Sequence, residues 1–266
     1  MQKEIKKVKF FPNNNEKSEE LYKLLEEKMI KSGFLVVEDD YDLAIAIGGD
    51  GAFLRMVKAN NFDSEVYYVG INAGTLGFLQ EVKDTETDLF IDELKRGDYK
   101  IQQQGIQETE VIHENNDKSL FYSLNEIVVR DKHLKTLKLE VRVDDDLLEN
   151  FAGDGILVAT SVGSTAQNFS LGGSIIDNNF STLQITPIAP LNTSSYRALA
   201  SSVILPSHRE IKLMPEEKKD LIVTVDGENN YYNDVSQIRT KIRDKEINFL
   251  RLSRYNFPEK INEKLL

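Results

Sequence analysis

The chain has no cysteine in 266 residues. Disulfide bridges, thiolate zinc sites and a cysteine nucleophile are therefore excluded, and the composition suits a reducing compartment. Long apolar runs are absent too. No stretch approaches the length of a membrane span and the first residues carry no signal-peptide core, so a cytoplasmic location is expected. Positive charge is in short supply: 44 acidic residues against 33 basic ones leave a formal net charge of −11. Such a field repels nucleic acid and anionic membranes unless a local basic patch overrides it, and neither partner is expected. The cluster of Lys3, Lys6, Lys7 and Lys9 alternates with apolar residues and reads as the solvated edge of a strand. The three histidines, His113, His133 and His208, are far apart and have no ligand partners by spacing, so no metal site built from protein side chains is expected.

What is present describes a globular protein with one large core or two ordinary ones, at 40% hydrophobic and 29% charged residues. Residues 5–11 pattern as a strand and residues 16–31 as an amphipathic helix with Leu21, Leu24, Leu25 and Met29 on one face and Gly33 at its end. Strands are expected at 34–37, 43–47 and 66–71, with helices at 53–59 and 87–95. This alternation predicts a doubly wound, Rossmann-like α/β domain over residues 1–98. Beyond residue 99 helical periodicity fades. In residues 137–143, Leu137, Leu139, Val141 and Val143 face one way and Lys138, Glu140 and Arg142 the other, and further strands are expected at 156–159, 221–225 and 247–252. A mostly β, β-sandwich-like domain is predicted over residues 99–254. Asp144, Asp145 and Asp146 read as a solvated hairpin turn.

Glycine is concentrated where a ligand could lie. Of fifteen glycines, eleven fall in two patches, at positions 48, 49, 51, 70, 74 and 77 and at 153, 155, 163, 172 and 173. The first patch follows the apolar run 43–47 and holds Gly48, Gly49 and Gly51 around Asp50. Such a loop admits close backbone approach, and a following helix turns free amides toward it, which suits phosphate. A carboxylate there repels phosphate unless a metal ion bridges them or it serves as a base, so Asp50 suggests phosphoryl transfer. The second patch runs from a strand into Ser161-Val162-Gly163-Ser164-Thr165, a set of hydroxyls and amides suited to sugar, adenine or phosphate.

With both patches in view the chain resembles the NAD kinase family, also called polyphosphate/ATP-NAD kinases. The resemblance rests on Gly48-Gly49-Asp50-Gly51, Gly70-Ile71-Asn72 with Leu76-Gly77-Phe78-Leu79, Leu124-Asn125-Glu126, Gly153-Asp154-Gly155, Gly163-Ser164-Thr165-Ala166, Tyr196-Arg197 with Leu205-Pro206, and Val225-Asp226-Gly227. It covers residues 43–227 in the family's order. A lone Gly-Gly-Asp-Gly would equally suit a diacylglycerol-type lipid kinase, and the Asn-Glu and Gly-Ser-Thr-Ala blocks separate the two.

The resemblance implies phosphoryl transfer from ATP, or from polyphosphate, to the 2′-hydroxyl of the adenosine ribose of NAD, giving NADP, with magnesium or another divalent cation. It assigns Asp50 as the base, Gly48, Gly49, Gly51 and Asn72 to the donor phosphates, and Asn125 with Glu126 to the ribose hydroxyls. Asp154 would hold the nicotinamide end, and Ser161, Thr165, Ala166 and Ser170 would surround adenine. Tyr196 would reach the pocket from a neighbouring subunit of a homodimer or homotetramer, and Asp226 would join the NAD-binding set. The family fold implies that the tail 255–266 returns to the first domain. Val162 and Gln167 stand where members commonly carry proline and tyrosine, and Ser202 where a proline often precedes the next strand. These departures keep open a dinucleotide-binding regulator without catalysis, against which the retained Asp50, Asn125 and Glu126 argue.

Overall fold

The computed structural model describes residues 4–74, 77–192, 197–217 and 219–265. It comprises two compact units, Met1–Gln104 with Glu246–Leu266, and Gly105–Lys245.

In the first unit a six-stranded sheet is built around Leu43–Gly48, whose residues are all buried, as a strand covered on both faces requires. Lys7–Pro12 and Tyr67–Asn72 flank it in parallel, and Leu35–Val36 pairs on the far side of Lys7–Pro12. The helix Glu16–Lys31 begins under an Asn15 cap whose side chain accepts the Ser18 amide at 3.0 Å. It ends where Gly33 takes a φ of +94° and the Phe34 amide reaches back to the Met29 carbonyl at 3.0 Å. Leu21, Leu25 and Met29 are its buried apolar residues, each contributing roughly 1.5–3 kcal/mol by leaving water. Leu24, expected on the same face, is exposed, because the buried line follows the i, i+4 steps 21, 25 and 29.

Two strands join this sheet from outside the stretch that the sequence pattern assigns to it. Ile247–Leu252 lies parallel to Tyr67–Asn72, and Tyr99–Gln104 pairs antiparallel with Ile247–Leu252 at the edge. The sequence pattern alone assigns both segments to the second domain, residues 99–254, whereas they belong to the first unit. An alternating strand carries no mark of which sheet it completes, and here the partner of Phe249 is Tyr68. The helix Phe257–Leu265 then follows within the same unit.

The second unit is an antiparallel sheet of eleven strands. It curls because the fifteen-residue strand Glu228–Ile242 pairs with Lys219–Val225 along its first part and with Gln107–His113 and Ile211–Pro215 along its second. Leu137, Leu139, Val141 and Val143 are all buried in the enclosed core, together with Ile127, Val129, Ile156 and Val158. Asp144 and Asp145 turn a hairpin between Leu137–Val143 and Asp146–Gly153, with Asp144 at a φ of +55°.

Candidate functional site

In the first unit both glycine turns leave the carboxyl ends of adjacent parallel strands, the place where open α/β sheets hold ligands. The Ala73 amide donates to the Gly48 carbonyl at 3.4 Å, which fastens one turn to the other. Gly48 has a φ of +150°, and a Cβ there would lie 2.9 Å from the Ala52 Cβ and 3.0 Å from the Asn13 Cβ, so the turn admits no side chain. Gly49 caps the helix Asp50–Ala59. The expected helix start at residue 53 is therefore moved to Asp50, which is the first helical residue rather than the middle of a loop.

That position defines what Asp50 does structurally. Its Oδ2 accepts the Phe78 amide and its Oδ1 the Leu79 amide, each at 2.9 Å. The carboxylate thereby staples the second glycine turn to the helix, and each oxygen retains a lone pair for another partner. Gly77 makes the approach possible, since a Cβ there would come within 1.9 Å of Asp50 Oδ1. Asn72, expected among the phosphate-binding residues, spends its side chain locally: its amide donates to the Gly74 carbonyl at 2.7 Å and its oxygen accepts the Gly74 amide at 3.1 Å. It shapes the turn rather than presenting a free donor. Gly51 is exposed, and the exposed Arg55 one turn on donates to the Asn13 side chain at 2.6 Å. Sequence reading missed Arg55, which no glycine or acidic neighbour marks.

The second unit gathers its own group. Asp226 sits at the tip of the hairpin joining Lys219–Val225 to Glu228–Ile242, at a φ of +45°, with Gly227 at +87°. Its Oδ2 accepts the Leu124 amide at 2.8 Å, and its Oδ1 accepts the amides of Asn125 at 2.8 Å and Glu126 at 3.2 Å. One carboxylate thus fixes three successive amides at the start of the strand Glu126–Asp131. Thr160, at the end of the neighbouring strand, donates its amide to the Asn125 carbonyl at 2.8 Å and its hydroxyl to the Leu124 carbonyl at 2.6 Å. Gly163 packs on the same backbone, where a Cβ would lie 2.0 Å from the Asn125 carbonyl oxygen. The Asn-Glu and Gly-Ser-Thr blocks are consequently one structural object.

Glu126 is its chemical centre. The residue is only 5% exposed, and its Oε2 has no hydrogen-bond partner among the described residues. Burial, the nearby Asp226 carboxylate and, in the opposite sense, a hydrogen bond from the Gln167 amide leave its carboxyl pushed up to about 8. An acid that is buried, protonated at neutral pH and short of one partner is poised to meet a polar ligand.

The remaining expected residues divide. Ser161 is buried with its hydroxyl donating to the Phe180 carbonyl and lying 3.1 Å from Thr182 Oγ1, so it anchors the 177–182 segment. Thr165 donates to the Val162 carbonyl at 3.4 Å, Ala166 is half-buried and Ser170 is exposed. Gln167 opens the short helix Gln167–Ser170, with its amide on Glu126. Asp154 does not join this group: it is exposed at the opposite end of the strand Gly155–Thr160, six residues and roughly 20 Å away. Tyr196 lies outside the described residues.

No three His, Cys, Asp or Glu side chains among the described residues cluster as a metal site. Asp50, with both oxygens already accepting amides, fits a cation carried in on donor phosphates better than a resident one. No described helix is long and apolar enough to cross a membrane.

The profile of the ATP-NAD kinase N-terminal domain matches residues 1–99, and that of the ATP-NAD kinase C-terminal domain matches residues 124–248. A NAD kinase of Finegoldia magna is 38% identical over 258 residues, covering 94% of each chain. NAD kinase 2 of Halalkalibacterium halodurans is 30% identical over 263 residues, covering 97% of this chain and 98% of its own. Among solved structures, yeast NADH kinase complexed with NADH superposes with a TM-score of 0.84 at 21% identity, over 99% of this chain and 88% of that one. An Archaeoglobus fulgidus NAD kinase in complex with ATP gives 0.75 at 21% identity, over 97% and 98%. These two likenesses establish the fold.

Proposed function

The chain belongs to the NAD kinase family, and from that premise we propose how its residues carry out transfer of a phosphoryl group from ATP to the 2′-hydroxyl of the adenosine ribose of NAD. The observation that carries the assignment is Glu126, a buried acid with one unpartnered oxygen beside Asn125. We assign this pair to the ribose hydroxyls. A protonated acid and an amide can each donate and accept, which suits two adjacent hydroxyls. Asp226 positions both by holding their amides.

Asp50 is assigned as the base. Its grip on Phe78 and Leu79 fixes the carboxylate in one orientation, and the remaining lone pairs would take the hydroxyl proton as the oxygen attacks the terminal phosphorus, the β,γ-phosphoanhydride bond breaks and ADP leaves. The amides of Gly49 and Gly51 and the exposed Arg55 would hold donor phosphates. A divalent cation, magnesium first, would enter with the donor phosphates beside Asp50 and would supply charge neutralisation there. Inorganic polyphosphate, which presents the same phosphoanhydride bond, is a second donor in this reading.

Thr165, Ala166 and Ser170 are assigned to adenine, and Ser161 acts behind them as a support. Asp154 is too far along its strand to meet the same part of a ligand as Glu126, and together with Tyr196 we assign it to the site of a neighbouring copy in a homodimer or homotetramer. The absence of cysteine supports a cytoplasmic setting.

Incubation of the pure protein with NAD, ATP and magnesium should yield NADP, read by an NADP-specific dehydrogenase. NAD binding without NADP formation would identify a regulator instead, and phosphorylation of diacylglycerol without NADP formation a lipid kinase.

A further inference from the structure

Four consecutive residues, 78 to 81, link Asp50 to the end of the chain. The amides of Phe78 and Leu79 hold the Asp50 carboxylate. The next two residues are held from the other side by the C-terminal segment. Lys260 Nζ donates to the Gln80 carbonyl at 2.6 Å. Glu81 Oε2 receives Arg251 Nη1 at 2.9 Å and its Oε1 the Leu252 amide at 3.0 Å, and Lys260 Nζ stands 3.9 Å from the same carboxylate. Glu81 and Arg251 are almost completely buried, and the Lys260 side chain is only 10% exposed.

This is an unusual way to seat a terminal helix. The helix Phe257–Leu265 contains no fully buried residue, and Phe257, Ile261 and Leu265, at i, i+4 and i+8, are only half-buried along one side. What it sends inward is an amine, placed 5.2 Å over the Tyr255 ring, whose face also takes the Arg251 guanidinium at 4.3 Å. Burial and the neighbouring Arg251 pull the Lys260 amine down to about 7, while the Glu81 and Asp50 carboxylates act in the opposite sense. A buried amine is a costly anchor where a leucine would serve for packing alone. Its cost is explained if the hydrogen bond is needed at Gln80.

The middle of the linkage is tightly constrained. The Gln80 side chain is fully buried with neither polar atom paired among the described residues. It lies against Gly70, where a Cβ would come within 2.2 Å of Gln80 Oε1 and 3.0 Å of the Phe53 ring on the Asp50 helix. With no hydrogen bond of its own, this side chain does not fix the turn; the backbone does, through the Glu81 amide on the Gly70 carbonyl at 2.8 Å and the Gln80 carbonyl on Lys260.

We propose that Lys260 is a positioning residue for phosphoryl transfer: by holding the Gln80 carbonyl it fixes the turn whose two preceding amides, of Phe78 and Leu79, orient the Asp50 carboxylate. Lys260 touches neither NAD nor donor in this account, so its loss acts on the chemical step. The proposal rests on Asp50 as the base in NADP formation.

Lys260→Met keeps the length of the side chain and removes the donor. Its kcat is expected to fall about tenfold or more, with the KM for NAD within about twofold, because small misplacements of a reacting group lower rate before affinity. Lys260→Arg, which keeps a donor, is expected to recover most of kcat. Glu263→Gln breaks the other tether of the helix, the 3.1 Å pair with Lys83, without touching residues 78–81 and is expected to leave kcat unchanged. Unchanged kcat in Lys260→Met, or an equal fall in Glu263→Gln, overturns the proposal. If Lys260→Met does not fold, Glu81→Gln loosens the same four residues from their other hold, and a kcat at the wild-type value there overturns it equally. Failure of the underlying reading looks different, since Asp50→Asn would then keep the wild-type kcat, or the wild-type protein would form no NADP at all.

Discussion

Asp226 Oδ1 and the Asn125 amide are 2.8 Å apart across 101 residues of sequence. The contact ties a hairpin tip to the start of the strand that pairs with Lys219–Val225, and it makes the Asn125–Glu126 pair depend on a residue that need not touch the ligand. Asp226→Asn tests this dependence. Asparagine tolerates the φ of +45° but offers one acceptor oxygen to three amides. The variant should lose about 1–2 kcal/mol in urea denaturation and bind NAD more weakly. Unchanged NAD affinity by calorimetry would reduce Asp226 to a turn residue.

Glu126 predicts a pH dependence of stability with a definite sign. In the unfolded chain its carboxyl titrates near 4.5, whereas in the folded protein it keeps its proton to about 8. Between those values the native state binds the extra proton, so stability from this group is complete below pH 4.5 and is lost as pH rises through 8. Glu126→Gln, an isostere of the neutral acid, should flatten that slope and should be more stable than wild type at pH 8. Parallel curves for the two proteins between pH 5 and pH 8 would remove the raised acid.

Gly77→Ala should be far more damaging than an exposed glycine substitution. Its Cβ would meet Asp50 Oδ1 at 1.9 Å, so either the staple or the turn must move. NADP formation should fall by about a hundredfold with a smaller effect on folding. Activity within about twofold of wild type would show that the Asp50 contacts with Phe78 and Leu79 are dispensable.

Much of the fold was legible because its signals are local. The apolar run 43–47, the four-residue steps from Leu21 to Met29 and the alternation from Leu137 to Val143 each announce burial within one element. The glycine patch marked Asp50 and the resemblance to the NAD kinase family marked Asn125, Glu126 and Asp226, and the structure brings the last three together. Hidden in the sequence were relations between distant residues: Phe249 beside Tyr68, Lys260 on Gln80, and both oxygens of Asp50 committed to Phe78 and Leu79. The roles given to Asn72 and Ser161 shifted for the same reason. A polar side chain at a turn looks identical in sequence whether it faces a ligand or closes its own loop, and both of these bond to nearby backbone.

Gln167 occupies a half-buried position with its amide on Glu126, so a ring at this place would lie close to a bound dinucleotide. Gln167→Tyr should lower the NAD dissociation constant severalfold with little change in kcat, since stacking on a base contributes about 1–3 kcal/mol in single-strand nucleic-acid binders. Equal affinities by titration would place the side chain away from the ligand.

If Asp50 takes the proton from the NAD ribose hydroxyl, steady-state NADP formation must collapse in Asp50→Asn. Asparagine preserves the volume and one of the two amide contacts while removing the proton acceptor. The account predicts a fall in kcat of about 10²–10⁴-fold, with NAD still bound. NADP formation near the wild-type rate would contradict it.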